Sequence, residues 1–373
     1  MRLIIVLVLG AILLFIPNLL YKKNWHKGVN VELYFEKDVM REGEDNVMVE
    51  VISNDKLLPL PVIEAKFSIT RSFVFPKEVN SSVTDNYYRC EYFSCKPYQK
   101  ITRKYKFKAV KRGDYKISSL DVLCKDLLMD KNLYAQHSSD SHVAVLPARL
   151  PADEIPKDLV IMNGDVVKRY KLFDDPFEFK SIREYAPYDS MNHINWKASA
   201  KNDGLFVNTF NDTNRKKVVI MLNLDMNSMY NFDLIFEMSI KLAAYLVDYF
   251  VSSEVPVAFY TNGKDFETDE CPSYDSGCND GHVRGIEMSL ARIDIKKKAR
   301  KFVKIMDKNI DKDSTDEYII ISNYRKNDFL TKYNELKEDG VRINLIVPEL
   351  ANNDIAPVVP SSTEIKWEIQ HER

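Results

Sequence analysis

Alternating apolar and polar positions fill much of residues 28–148. Their period of two is typical of strands with one buried face. Turn signals such as Arg41-Glu42-Gly43-Glu44 and Lys111-Arg112-Gly113-Asp114 separate these stretches. Several short strands at this spacing predict an immunoglobulin-like β-sandwich over residues 28–148. The stretches are VNVELYFE, NVMVEVIS, IEAKFSIT, KITRKYKFKAV and GDYKISSLDVLC.

The pattern changes after residue 215, where continuous apolar runs of strand length alternate with helical stretches. The runs are KKVVIMLNLD (216–225), VPVAFYTNG (255–263), DEYIIISN (316–323) and VRINLIVPE (341–349). Helices are predicted at 231–251, at 280–308 and in FLTKYNELKEDG, which Gly340 ends. Alternating strands and helices predict a parallel α/β sheet. Its ligand face would be the carboxyl edge, where Asp225, Asn262, Asn323 and Glu349 follow the strands.

The amino terminus is apolar and uncharged from residue 3 to residue 20. About 20 such residues in a helix cross the hydrocarbon core of a bilayer. Tyr21 and Trp25 suit a membrane interface, and more lysines follow the run than precede it. We therefore expect an uncleaved transmembrane anchor at 1–21, a single-pass location in the cell membrane, and a cytoplasmic soluble part. The alternative is a signal sequence ahead of an extracytoplasmic adhesion module.

Charge and composition exclude several classes of function. Lys plus Arg is 53 and Asp plus Glu is 55, which gives a net charge of -2 and no global footprint for nucleic acid. The five cysteines form no disulfide framework or zinc pattern. None of the 11 glycines lies in a phosphate-binding motif, so dinucleotide and P-loop sites are excluded. Residues 291–308 are predicted to be a helix with a solvated basic face, the alternative being attraction to an acidic partner or an anionic membrane leaflet.

A candidate site lies at residues 173–210, after a linker at 149–156. Arg183 and Asp189 bracket a turn and could pair across it. Trp196 is large enough to anchor the segment on the sheet. Ser199 lacks a nucleophile elbow, yet a serine hydrolase, with His193 as the nearby imidazole, stays an alternative. The candidate partner-binding or structural residues are Arg183, Tyr185, Asp189, Asn195, Trp196, Lys197 and Ser199.

These residues resemble the signature of a bacterial family, domain of unknown function 58. The pattern R-x-Y-x-x-x-D falls on Arg183, Tyr185 and Asp189, and I-N-W-K-A-S-A-K and L-F-V-N follow at 194–201 and 205–208. The resemblance extends over the membrane anchor, the β-rich region and the sheet domain. Tyr188 departs from it, because members often carry glycine there. The family often occurs with MoxR-type AAA+ ATPases, which implies such an ATPase as the protein partner.

The resemblance also implies that residues 157–373 form a domain similar to von Willebrand factor type A. Such domains often bind Mg²⁺ through D-x-S-x-S after the first strand. Asp225 and Asn227 keep two positions of that motif, whereas Met229 offers no hard oxygen ligand. We therefore expect no cofactor and a degenerate site, with Mg²⁺ at Asp225 and Asn227 as the alternative. The favoured function is a membrane-anchored, non-enzymatic scaffold or adaptor that binds a protein partner; a metal-dependent, adhesion-type ligand-binding domain is the alternative.

Overall fold

The computed structural model describes residues 2–76, 81–83, 86–173, 179–186, 191, 194–201, 204–210, 216–225, 233–350 and 364–369. The chain divides into two compact units. Unit 1 comprises residues 1–148 with 290–292, and unit 2 comprises 149–289 with 293–373.

The described residues of unit 1 before residue 149 form one helix followed by ten strands. In chain order they are α1 (Arg2–Asn24), β1 (Val29–Phe35), β2 (Val39–Arg41), β3 (Asp45–Asn54), β4 (Leu60–Thr70), β5 (Phe73–Val74), β6 (Ser81–Val83), β7 (Asn86–Cys95), β8 (Gln99–Ala109), β9 (Gly113–Lys125) and β10 (Asn132–Leu146). All five alternating stretches of the sequence are strands, namely β1, β3, β4, β8 and β9.

The strands of unit 1 form two sheets packed as a β-sandwich. One sheet has the order β1-β3-β8-β5, and the other β2-β10-β9-β4-β7-β6. Neighbouring strands are antiparallel, except that β2 and β10 are parallel. The alternation puts every second side chain of β1 into the core, where Phe35 packs edge-on against Phe73 and Phe107 at ring distances of 6.2 and 5.7 Å.

The end of α1 packs on the sandwich of unit 1. Tyr21 and Trp25, predicted to lie at a membrane interface, are only 1% and 4% exposed and belong to the sandwich core. Asn18 and Lys22 bind the carboxylate of Asp126 at 3.2 and 3.1 Å. Across the part of the chain that is described, no helix combines the length and apolarity needed to cross a bilayer. The predicted transmembrane anchor at 1–21 and the single-pass location in the cell membrane are therefore wrong.

Unit 2 contains a mixed sheet and the helices that cover it, preceded by a short 3₁₀ helix at Ala152–Glu154. Its elements are α2 (Lys157–Phe173), β11 (Phe179–Glu184), α3 (Trp196–Ser199), β12 (Phe206–Phe210), β13 (Val218–Leu222), α4 (Asp233–Ser252), β14 (Val257–Thr261), β15 (Lys264–Asp265), β16 (Ser273–Gly277), α5 (Asp280–Arg292), β17 (Ile293–Asp294), α6 (Phe302–Asn309), β18 (Glu317–Ile321), α7 (Asn327–Glu338), β19 (Ile343–Leu350) and β20 (Glu364–Ile369).

The main sheet of unit 2 has the strand order β16-β14-β13-β18-β19-β20. Five strands are parallel, and β16 at one edge is antiparallel to β14. Every residue of β13 and β18 is buried, as continuous apolar runs predict for central parallel strands. Gly340 ends α7 as predicted, with a φ of 83° that a side chain would disfavour.

The predicted fold class is wrong as stated. It required a transmembrane helix and a parallel sheet of the von Willebrand factor type A kind behind an immunoglobulin-like sandwich. The chain is instead β-rich, with a β-sandwich and mixed sheets, and the described residues contain no membrane-spanning helix. The antiparallel strand β16 was not predicted, because its sequence, SYDSG, is polar and its largely exposed side chains show no apolar pattern.

The predicted helix at 291–308 is also wrong. The helix α5 ends at Arg292, the two residues of β17 follow, and α6 begins only at Phe302. Ile293 and Ile295 are both buried. A spacing of two between buried residues is typical of a strand and not of a helix. The intervening basic residues therefore lie in a loop.

Candidate functional site

The motif segment comprises the described residues between 179 and 210. Strands β11 and β12 pair antiparallel and form a small sheet of their own. The chain between them carries α3 and returns to β12, because Ile194 makes an isolated bridge to Val207. Ile194 is 6% exposed and Val207 is 2% exposed, so these two residues form the apolar anchor of the segment. Both residues lie in the signature at 194–201 and 205–208, but neither was among the candidate partner-binding or structural residues.

Asn195 and Ser199 lock α3 onto β12. The Asn195 side chain caps α3 by accepting a hydrogen bond from the Ala198 N–H at 2.9 Å. The Asn195 N–H donates to the carbonyl of Phe206 at 2.8 Å. The Ser199 hydroxyl donates to the Asn195 carbonyl at 2.9 Å and accepts from the Phe206 N–H at 2.9 Å. Two of the predicted site residues therefore fix the backbone of the segment.

These bonds bear on the alternative of a serine hydrolase. A nucleophilic serine must give its proton to a base, usually a histidine within hydrogen-bond reach. The Ser199 hydroxyl directs its proton to a backbone carbonyl instead. His193, the imidazole considered for that role, lies outside the described residues. The observed bonds of Ser199 are those of a bracing side chain.

Trp196 is 66% exposed, so the prediction that it anchors the segment on the sheet is wrong. The physical reason is that α3 is a single turn whose inward contacts are made by Asn195 and Ser199. Lys197, beside Trp196, is also exposed. The locked turn therefore presents both side chains to solvent.

Exposed apolar side chains recur along the motif segment. They are Ile182 at 41%, Met191 at 67%, Trp196 at 66% and Leu205 at 45% exposure, and we call them the exposed apolar set. Single exposed apolar residues are common on protein surfaces, but several within one small hairpin are typical of an interaction surface.

The other predicted residues of the motif segment lie on or beyond β11. Arg183 is exposed, and its guanidinium donates to the Glu184 carbonyl at 3.0 Å. Tyr185 is half-buried, and its N–H donates to the Leu205 carbonyl at 2.8 Å. Asp189 lies outside the described residues, so the predicted pairing of Arg183 with Asp189 stays a prediction.

The second candidate site is the carboxyl edge of the main sheet. Asp225 is half-buried there, and its carboxylate accepts a hydrogen bond from the Phe302 N–H at 3.1 Å. The carboxylate thus caps the amino terminus of α6, where negative charge is stabilised. Burial raises the pKa of Asp225 above its usual range, and the Phe302 N–H opposes that shift.

A buried amide network connects the strands at this edge. The Asn262 side chain accepts from the Leu224 N–H at 2.7 Å and donates to Asn223 at 2.9 Å and to the Arg300 carbonyl at 2.9 Å. Asn223 also donates to the Ser322 hydroxyl at 2.9 Å. Asn223, Asn262 and Ser322 are at most 2% exposed. The sequence placed Asn262 at a strand end; it missed Asn223, whose signal is a polar residue within the run VVIMLNLD.

The residues at this edge do not fit a Mg²⁺ site. Mg²⁺ needs about six oxygen ligands in octahedral array. The amide oxygens of Asn223 and Asn262 accept backbone N–H groups instead. No cluster of three acidic, histidine or cysteine side chains able to hold a metal occurs in the part of the chain that is described. Asn227, the second predicted ligand, lies outside that part.

Comparisons with known proteins give no family. No family model matches the chain, and no curated protein matches it. Among solved structures, it resembles the CARDB domain of a Pyrococcus furiosus protein, in complex with di-metal ions, at 11% identity and a TM-score of 0.21, over 32% of this chain and 90% of that one. It also resembles a non-cellulosomal cohesin from Archaeoglobus fulgidus at 9% identity and a TM-score of 0.22, over 31% of this chain and 91% of the cohesin. AvmM, which catalyses macrocyclization in alchivemycin A biosynthesis, is 9% identical with a TM-score of 0.23, over 34% of this chain and 94% of AvmM. At such TM-scores these likenesses carry no argument about this chain.

Proposed function

We propose that this protein is a non-enzymatic scaffold or adaptor that binds a protein partner through the motif segment. The observation that carries the proposal is Trp196, a tryptophan 66% exposed on a turn fixed by hydrogen bonds. Tryptophan is one of the residue types enriched among the side chains that contribute most to the affinity of protein interfaces.

The rigidity of the turn supports the proposal. A side chain on a mobile loop loses conformational freedom when it binds, which weakens the complex. Here Asn195 caps α3 and Ser199 ties it to β12, so the backbone beneath Trp196 is already ordered. Met191 and Leu205 add apolar surface to the same hairpin, and Lys197 adds a charge that can select the partner.

The partner we propose is a MoxR-type AAA+ ATPase. Support comes from the resemblance of residues 183–208 to domain of unknown function 58, whose members often occur with these ATPases. The family assignment itself is part of this proposal.

The test is a binding titration of the full chain against the purified MoxR-type ATPase of the same genome. We expect Trp196→Ala to weaken binding about 30-fold, as loss of a 2 kcal/mol hot spot would. The melting temperature should stay the same, because an exposed side chain contributes little to stability.

The matched control is Tyr98→Ala in unit 1, an aromatic residue that is 70% exposed. It should leave the affinity unchanged. An equal affinity of Trp196→Ala and the unchanged chain would contradict docking through the motif segment. No complex with the unchanged chain would contradict the choice of partner.

A further inference from the structure

The carboxyl edge of the main sheet carries a concentration of exposed cations. Five of them, Lys296, Lys298, Arg300, Lys301 and Lys304, come from the loop before α6 and from its first turn. The sixth cation is Lys326, in the loop after β18. It lies near Lys301, because the positive charges of both lysines lower the pKa of the Asp225 carboxyl. We call these six residues the cationic edge.

The cationic edge lacks the ion pairs that neutralise nearby lysines. Lys264 and Lys297 both bind Asp269, at 2.7 and 3.2 Å, and Lys332 binds Asp307 at 2.8 Å. By contrast, the described residues place no carboxylate within ion-pair distance of any member of the cationic edge. Within the described part of the chain, no direct ion pair therefore neutralises these side chains, and their charge can attract an anionic partner.

The backbone under these cations is fixed by the buried amide network. The Arg300 N–H donates to the Asn262 carbonyl at 3.2 Å, and the Asn262 side chain donates to the Arg300 carbonyl at 2.9 Å. Two residues after Arg300, the Phe302 N–H donates to the carboxylate of Asp225 at 3.1 Å. The loop is thus held on both sides of Lys301.

We propose that the cationic edge binds an extended acidic segment of a protein partner. This inference deepens the proposed function and rests on it only in taking the partner to be a protein. Two observations favour a protein over a nucleic acid. The carboxylates of Asp225 and Asp328 lie close to Lys301 and Lys326 and would repel the regularly spaced phosphates of a nucleic acid, whereas a peptide can place its acidic side chains away from them. Tyr324 is half-buried, and the ammonium of Lys326 lies over one face of its ring at 5.6 Å, so that face is not available for base stacking.

A pair of charge-matched variants of the full chain tests the inference. The first is Arg300→Gln with Lys301→Gln and Lys326→Gln, on the cationic edge. The second is Lys100→Gln with Lys106→Gln and Lys108→Gln, three exposed lysines of β8 in unit 1. Both remove three positive charges, so any difference between them is local. The probes are a fluorescein-labelled peptide of alternating Glu and Gly, the same peptide with Gln for Glu, and a labelled DNA duplex. Binding is followed by fluorescence anisotropy at low and high salt.

We expect the Glu peptide to bind more tightly than the Gln peptide and the duplex. The variant of the cationic edge should lose affinity for it about tenfold or more, because each exposed charged contact contributes up to about fivefold. The variant of β8 should keep the affinity, and salt should weaken binding to the unchanged chain. Equal losses in both variants, tighter binding of the duplex, or no binding of the Glu peptide at about 1 mM would overturn the inference. None of these results bears on binding through Trp196.

Discussion

Replacement of Asn262 by alanine tests whether the amide network holds the carboxyl edge. Asn262 is 0% exposed, and its side chain makes three hydrogen bonds, to the Leu224 N–H, to Asn223 and to the Arg300 carbonyl. In Asn262→Ala all three are lost. Asn223 keeps the hydrogen bond that its oxygen accepts from the Asp225 N–H at 2.9 Å.

The magnitude follows from the groups left without partners. The Leu224 N–H is buried, since Leu224 is 4% exposed, and a buried group left unsatisfied costs about 1–3 kcal/mol. The Arg300 carbonyl lies on an exposed residue and can accept water, so its loss is smaller, about 0.5–1.5 kcal/mol. Unit 2 should therefore lose about 2–4 kcal/mol of its free energy of unfolding.

Hydrogen exchange of the full chain measures both the size and the place of the change. In Asn262→Ala the amide of Leu224 should lose its protection, and the peptides covering β13 and β14 should exchange at least about 30-fold faster, the factor equivalent to 2 kcal/mol. Asn309→Ala is the matched control, because its side chain donates only to the Ile305 carbonyl within α6 at 2.9 Å. A loss below about 1 kcal/mol together with a protected Leu224 amide would refute the structural role of the network.

Two further predictions concern Asp126 and Ser199. Burial alone would raise the pKa of Asp126, but hydrogen bonds from the Lys131 N–H, Asn18 and Lys22 lower it well below its usual range. The ionised carboxylate therefore stabilises unit 1 above the unfolded pKa of about 3.9, and this stabilisation is lost as the pH falls through the folded pKa. Asp126→Asn should lower the urea midpoint at pH 7 and reduce its dependence on pH below about 5, while an unchanged acid dependence would count against the pairing with α1. Ser199→Ala should lower the melting temperature of unit 2 through two lost hydrogen bonds, about 1–2 kcal/mol, and the unchanged chain should not react with a fluorophosphonate probe; labelling that Ser199→Ala abolishes would show a nucleophile instead.

The strands of the fold could be predicted because their burial repeats along the chain. β1 alternates buried and exposed side chains without exception, and β13 and β18 are buried throughout. Both patterns follow from the sheet itself, since one face or both faces are covered. The polar edge strand β16 has no such pattern and was missed.

The environment of an apolar side chain could not be predicted in the same way. The residues of α1 are apolar enough to suggest lipid, but Tyr21 near its end and Trp25 just after it are buried by the sandwich, and hydropathy does not distinguish these two surroundings. Trp196 gave the opposite error, because its size suggested burial whereas the smaller Ile194 and Val207 anchor the segment. Within the candidate site, residue type alone did not show which side chains brace the backbone and which are displayed.

Both surfaces of unit 2 combine bracing side chains, which bond the backbone, with displayed side chains, which face solvent. At the motif segment, Asn195 and Ser199 bond the backbone and Trp196 faces solvent; at the carboxyl edge, Asn262 bonds the backbone and Lys301 faces solvent. A displayed residue contributes to affinity only through the partner, so its loss should leave hydrogen exchange unchanged. A bracing residue acts through the fold, so its loss should weaken binding and protection together. Because the chemistry of the two surfaces differs, apolar at one and cationic at the other, high salt should weaken binding at the second surface and leave the first nearly unaffected.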